Sequence, residues 1–255
     1  MCEITRTDLQ NLVNAYINTP TTCRVLCAKL NAIWQSAEID GVVQKNIAAN
    51  LNRPKYAKTE KRPLTKEELD AIKIADFTPQ QRLMVDILLQ FGLRPAEAFA
   101  LDTFSVDRKN RNLIINKALA HKDQMPVIKT TKTGVTRILP IPDEMLDRLK
   151  PFSDKTTYFF TDENGHLYTR WGMNRFQLDT IAKINKAMGG NAQLKKTSMT
   201  FYNFRHHKAS LLYYLAGVSL KAKAAYLGHS EELFLRTYSH MMQEKEDTEV
   251  LRQIL

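Results

Sequence analysis

FTPQQRLMVDILLQFGLRPAEAFAL, residues 77–101, is the stretch that decides how the rest of the chain is read. Thr78 can cap a helix and Pro79 suits its first turn. Gln81 stands three residues past the cap, where its side chain can reach back to the cap's own N–H. Leu83, Met84, Ile87, Leu88 and Phe91 recur at three- and four-residue intervals and form one apolar face. Gly92 ends the helix. Pro95 can open the next one, which leaves Arg94 in the junction with Glu97 three residues on. An arginine there has an ordinary structural duty open to it, capping loose carbonyls or pairing with Glu97.

Upstream, Thr65 and Glu68 in LTKEEL form another capping box. Before it, NRPKYAKTEKRP (52–63) sets Arg53, Lys55, Lys58, Lys61 and Arg62 against one acid, with prolines near both ends. That is the composition of a solvated tether, and a basic tether can also lie along a phosphate backbone. Residues 1–51 read as helical. Thr5 or Thr7 can cap a helix whose stripe is Leu12, Ala15 and Tyr16, and Leu26, Leu30, Ile33, Trp34 and Ala37 mark a second that stops at Gly41. A short third helix is expected in VVQKNIAANL.

Downstream, NLIIN, PVIKTTK and TRILPI are rich in Ile, Val and Thr and predict strands, with Thr133-Gly134 as the turn joining the last two. From residue 142 helical patterns resume: DEMLDRLKPF, TRWGMNRFQLDTIAKINKAMGG, FRHHKASLLYYLAG, SLKAKAAYLG and one more to the C-terminus. The expected fold is mainly α with a small antiparallel β-sheet, an α+β layout. The expected domains are a short helical unit (1–51), a basic linker (52–63) and a larger unit (64–255).

The 255 residues carry a net charge of +10 and a pI near 9.4, which predicts a polyanionic partner. No apolar run is long enough to span a membrane, and MCEITRTDLQ lacks the basic-then-apolar pattern of a signal peptide. Cys2, Cys23 and Cys27 have no second Cys/His pair at finger-like spacing. Reduced thiols in a cytoplasmic protein, without zinc, are the expectation. The six histidines show no metal-ligand spacing with acids, so no metal site is expected.

Breaking a DNA strand without metal or cofactor needs fixed cations on the non-bridging phosphate oxygens, best supplied by arginine. It also needs a nucleophile that stores the phosphate and an acid for the leaving oxygen. The larger unit holds these residue types in order: Arg94 in GLRPAE, Lys132 in KTTKTG, Arg205 in FYNFRHH, His229 in LGHS and Tyr238 in RTYSH. Each has a plain alternative. Lys132 can be a solvated hairpin lysine, and Lys129, an odd number of residues away and so on the other strand face, is its rival. Arg205, with Lys195, Lys196, His206, His207 and Lys208, can be a phosphate-steering patch. His206 can be a core histidine, and His229 can decorate a helix end.

The joint order and spacing resemble the catalytic domain of the tyrosine recombinases, the phage-integrase family. GLRPAE carries Glu97 three residues after Arg94, Arg205 is followed by His206, and His229 precedes Tyr238 by nine residues. The likeness spans roughly 63–245, and residues 1–51 resemble, more loosely, the end of the family's helical core-binding domain through Ala37 and Gly41. It implies a site-specific recombinase in which Tyr238 attacks a phosphodiester and forms a 3′-phosphotyrosyl link. In that scheme Arg94 and Arg205 hold the phosphate, His229 adds a hydrogen bond, Lys132 protonates the leaving oxygen and Glu97 orients the Arg94 region. His206 supports the site, and Arg53, Lys55, Lys58, Lys61, Arg62 and Lys208 contact DNA. The family's usual His three residues before the second arginine is Tyr202 here, which can donate to phosphate but is a poor base near neutral pH.

The resemblance further implies double-stranded DNA attachment sites, a homotetramer on DNA, accessory DNA-bending proteins, no cofactor and no membrane partner. A tail patch of Val250, Leu251, Ile254 and Leu255 would dock on a neighbouring protomer or on its own domain. A type IB topoisomerase uses the same chemistry and is the second enzymatic reading. A helix-turn-helix regulator built on ASLLYYLAGVSLKAKAAYLGHS would need none of Arg94, Lys132 or Tyr238.

Overall fold

The computed structural model describes residues 4–54, 62–131, 134–153, 157–189 and 199–238. Lys55, Lys58, Lys61, Lys132, Thr133, Lys195, Lys196 and the tail patch lie outside the described residues. The chain divides into two compact units, Met1–Glu60 and Lys61–Leu255. Among the described residues no helix is long and apolar enough to cross a membrane.

In the first unit, helix α1 (Arg6–Asn14) starts at Thr5, whose hydroxyl and N–H exchange hydrogen bonds with Asp8. Helix α2 (Pro20–Ile39) packs against it. The buried face differs from the expected stripe. Leu9 and Val13 point inward, while Leu12 and Tyr16 are 44% and 45% exposed. Both pairs are four residues apart, so the spacing alone does not set the phase. On α2 the inward face is Cys23, Cys27 and Leu30, with Leu26 and Trp34 packed alongside and Ile33 left outside. The Cys23 thiol donates to the Tyr16 carbonyl at 2.9 Å.

Residues 41–51 form turns rather than the expected third helix. The Asn46 amide explains this. It binds the Asn31 side chain at 2.9 Å and accepts the Ala48 N–H at 2.9 Å, taking a backbone donor that a helix would use. The end of α2 is closed by its own chain: Gly41 is left-handed at φ 70°, and the Val42 N–H donates back to the Ala37 carbonyl at 2.9 Å.

The second unit opens with α3 (Lys66–Ile74), α4 (Pro79–Phe91) and the single-turn α5 (Pro95–Phe99). The capping boxes at Thr65/Glu68 and Thr78/Gln81 both form. Helix α4 is the axis of the core, with Leu83, Met84, Val85, Ile87, Leu88 and Phe91 all buried. Five strands follow: β1 (Val106–Asp107), β2 (Asn112–Ile115), β3 (Lys117–Lys122), β4 (Met125–Thr130) and β5 (Arg137–Pro140). Then come α6 (Asp143–Ser153), α7 (Arg170–Ala187), α8 (Phe201–Tyr214), α9 (Leu220–Leu227) and α10 (Glu231–Tyr238).

The strands make two antiparallel sheets, β1-β2-β5 and β3-β4, so the expected β4–β5 hairpin is corrected. Strand β4 pairs with β3 across Asp123-Gln124, both left-handed at φ 50° and 67°, the geometry that matches strand twist in a two-residue loop. Strand β5 pairs with β2, placing Leu139 opposite Leu113. KALAHK reads as helix-former composition, which hid β3. Its Lys117 forms a salt bridge with buried Asp102 just past α5, tying the hairpin to the core.

Candidate active site

Three helix ends meet at one spot. Helix α4 stops at Gly92, and Leu93 leads to Arg94, which caps α5 in an extended conformation. An extended residue is what a following proline imposes. The Arg94 N–H donates to Glu97 Oε2 at 2.9 Å and its Nη1 to Oε1 at 2.8 Å. Glu97 is 2% exposed and also receives Arg137 Nη2, at 2.6 Å. Burial pushes the Glu97 carboxyl up, but Arg137 and the Arg94 bonds outweigh it and hold the group below the usual range.

The C-terminus of α9 is the hub. Its last carbonyls have no partner within the helix. Tyr226 O accepts from Arg137 Nη1 at 3.0 Å, Leu227 O from Arg205 Nη2, and Gly228 O from Arg94 Nη2 at 3.2 Å. Three successive carbonyls thus hold three arginines from three different elements, cations where a helix end favours them. Gly228 caps α9 in the left-handed region, and a Cβ there would stand 3.0 Å from Arg137 Cδ.

Arg205 projects inward from α8 and is 2% exposed, the opposite of a solvated steering patch. Its Nη1 donates to Gly92 O at 2.9 Å, and its Nη2 lies 2.9 Å from His229 Nε2. A guanidinium only donates, so His229 Nε2 is the acceptor and a neutral His229 carries its proton on Nδ1. Burial first, and Arg94 second, lower the Arg205 pKa to about 10. The bonded cluster joins three guanidiniums to one carboxylate, a surplus of positive charge.

Tyr238, the last residue of α10, is 1% exposed beside this surplus. Its ring packs on Phe234 at 5.1 Å and stacks on His229 at 6.0 Å, with planes 24° apart. Its hydroxyl is 3.3 Å from His206 Nδ1. Burial raises the Tyr238 pKa, while Arg205 and Arg94 act against the rise.

Of the residues singled out from the sequence, Arg94, Glu97, Arg205, His206, His229 and Tyr238 come together. Tyr202, on the first turn of α8, is 50% exposed. Lys208 is half-buried, its stem against Gly92 and its ammonium 5.9 Å from the Tyr226 ring centre. Arg62 is engaged bidentately by Glu68 at 2.7 and 2.8 Å, and Arg53 is exposed. Lys129 is exposed on β4. The sequence reading missed Arg137. Its signal was the register of RILP, which puts Arg137 on the same face as buried Leu139 and so requires a buried anion for it.

Residues 62–245 match the model of the phage integrase family. IntQ of Escherichia coli (strain K12) is 25% identical over 247 residues, 87% of this chain, which spans 60% of the length of IntQ. Among solved structures, the Tn1549 transposon integrase in complex with transposon right end DNA is similar with a TM-score of 0.75 at 20% identity, covering 99% of this chain and 86% of that one. A lambda integrase tetramer bound to a Holliday junction gives 0.66 at 17% identity, covering 91% and 64%. These structures share the fold, and the family model covers most of the chain: it belongs to the phage integrase family.

Proposed function

We propose that this chain is a tyrosine-type site-specific DNA recombinase that integrates or excises a mobile element. One observation carries the reading: three guanidiniums and one carboxylate are fixed around a helix end, with a buried phenol beside them. A cluster with that surplus favours an anion, and a phosphodiester supplies one. Tyr238 Oη attacks phosphorus, the bond to the 5′ oxygen breaks, and Lys132 gives that oxygen a proton. Arg94 and Arg205 hold the non-bridging oxygens, with His229 and Tyr202 as further donors. Attack by a partner strand's 5′ hydroxyl reverses the step, so no ATP, metal or other cofactor enters the scheme.

The proposed substrate is double-stranded DNA at paired attachment sites, bound by a homotetramer with accessory DNA-bending proteins, in the cytoplasm. The lambda integrase tetramer on a Holliday junction supports the assembly. Residues 1–51 would act as a helical DNA-binding unit joined to the catalytic unit (64–255) by the basic linker, where Arg53, Lys55, Lys58, Lys61 and Arg62 would follow the backbone; Lys208 is the further contact. The tail patch would dock on a neighbouring protomer, so that removing residues 246–255 impairs synapsis more than binding to one site.

The test is a nicked duplex carrying a site selected by the protein from a random-sequence pool. A covalent adduct that survives EDTA and is absent in Tyr238→Phe is the expected result. Metal-dependent cleavage without an adduct would overturn the proposal.

A further inference from the structure

We propose that His206 is the group that takes the proton from Tyr238. The inference rests on the recombinase reading and supplies a step which that reading leaves open. A tyrosine attacking phosphorus must lose its proton, and burial opposes the charged form of this one. The position three residues before Arg205 holds Tyr202, a half-exposed phenol that is a poor acceptor near neutral pH. The His229 ring runs nearly parallel to that of Tyr238, 24° between planes and 6.0 Å between centroids, and its Nε2 already accepts from Arg205. His206 instead approaches with its ring tilted by 57° and Nδ1 within reach of Oη. It sits on the helix that carries Arg205, one residue further on, so the base and the phosphate anchor share one backbone.

The surroundings suit the role. Arg205 on the same helix and Arg94 at the start of α5 both act on Tyr238 with positive charge, which favours the phenolate that loss of the proton creates. The required tautomer has its proton on Nε2. On attack the Oη–H bond breaks, the proton moves to His206 Nδ1, the Oη–P bond forms, and the P–O5′ bond breaks with Lys132 protonating O5′. The new imidazolium is offset by the phosphate charge that arrived with the substrate. In the reverse reaction His206 returns the proton to the departing phenolate.

The decisive variant is His206→Asn, whose side-chain amide can still accept a hydrogen bond near the Nδ1 position but has no useful basicity. Single-turnover adduct formation on the selected nicked duplex should fall by about 100-fold or more, the usual scale for general base catalysis. Binding to the intact duplex should be unchanged. A rate within a few-fold of wild type would show that His206 only positions the tyrosine, and would overturn the proposal while leaving the recombinase reading intact. No adduct with the wild-type protein would sink both.

A second measurement does not depend on the variant folding. A duplex with sulfur in place of the bridging 5′ oxygen has a leaving group that needs no protonation. On it, a Lys132→Ala protein should regain most of its rate and His206→Asn should not. In wild-type protein the rate should still fall as pH drops through the range where an imidazole gains a proton. Loss of that acid limb on the sulfur substrate would assign it to the leaving-group side and overturn the proposal.

Discussion

Helices α2 and α9 both end next to a left-handed glycine and close their last turns with the same pair of backbone bonds, but they differ in what their final carbonyls meet. The Gly41 and Val42 N–H groups donate to Glu38 O and Ala37 O as those of Gly228 and His229 donate to Ala225 O and Ala224 O, and no other atom would crowd a Cβ at Gly41. Helix α9 in addition gives its next three carbonyls to Arg137, Arg205 and Arg94, which come from β5, α8 and the start of α5. The shared closure is local and asks nothing of the rest of the protein. The contacts added at α9 bury cations that burial penalises, as the lowered Arg205 pKa records. A helix end that collects distant arginines is organised for something beyond its own stability, and here the buried Tyr238 stands next to it.

The largest expected effect breaks the added contacts at their one carboxylate. Glu97→Gln leaves Arg94 and Arg137 without their shared anion and should cost about 3–5 kcal/mol, read as a drop in the urea midpoint. The same group predicts acid sensitivity. Its folded pKa lies below the unfolded value of 4.5, so its contribution is complete above that pH and is lost as pH falls through the lower folded value. Wild-type stability should therefore drop more steeply below about pH 4.5 than that of Glu97→Gln, and parallel curves would refute the assignment.

The two glycines give the direct contrast. Gly41→Ala should cost only the left-handed backbone penalty, about 1–2 kcal/mol. Gly228→Ala meets the same penalty and a 3.0 Å contact with an Arg137 that Glu97 and Tyr226 O hold in place, so it should cost about 1 kcal/mol more and slow adduct formation as well. Equal midpoints for the two variants would mean that Arg137 yields freely.

The smallest effect concerns Tyr226, whose hydroxyl donates to Gln90 O at 3.3 Å near the end of α4. Tyr226→Phe should cost about 1 kcal/mol at neutral pH. Burial raises this phenol to about 12, so its contribution is complete below about pH 10 and fades as pH rises through about 12. The difference from Tyr226→Phe should shrink over that window in an alkaline titration of stability.

Much of the helical frame was legible in the sequence because its signals are local. Thr65 with Glu68, Thr78 with Gln81, and Gly92 act within one turn of chain and needed no tertiary knowledge. The strand partners were not legible, since KALAHK becomes a strand only by pairing with β4, and Ile138 stands 62% exposed while Arg137 turns inward. The face of α1 was misread because Leu9/Val13 and Leu12/Tyr16 have equal periodicity and only contact with Cys23 and Cys27 chooses between them. At the candidate site, the pairing of Arg94 with Glu97 was readable from their spacing. The burial of Arg205, the bond from His206 to Tyr238 and the part of Arg137 depend on residues 22 to 134 positions apart, which no local pattern encodes.

The three arginines on α9 also set how this protein can vary in length. Adding or removing one residue inside a helix turns everything beyond it by about 100° and shifts it by about 1.5 Å. In α2 such a change would carry the closing turn along with it, because donor and acceptor belong to the same stretch. In α9 it would swing three carbonyls away from three guanidiniums at once, and His229 with them. Helix α9 is therefore fixed in residue count, and insertions should be tolerated around it only in the connections, such as the Gly217 turn before it, where nothing crowds the backbone.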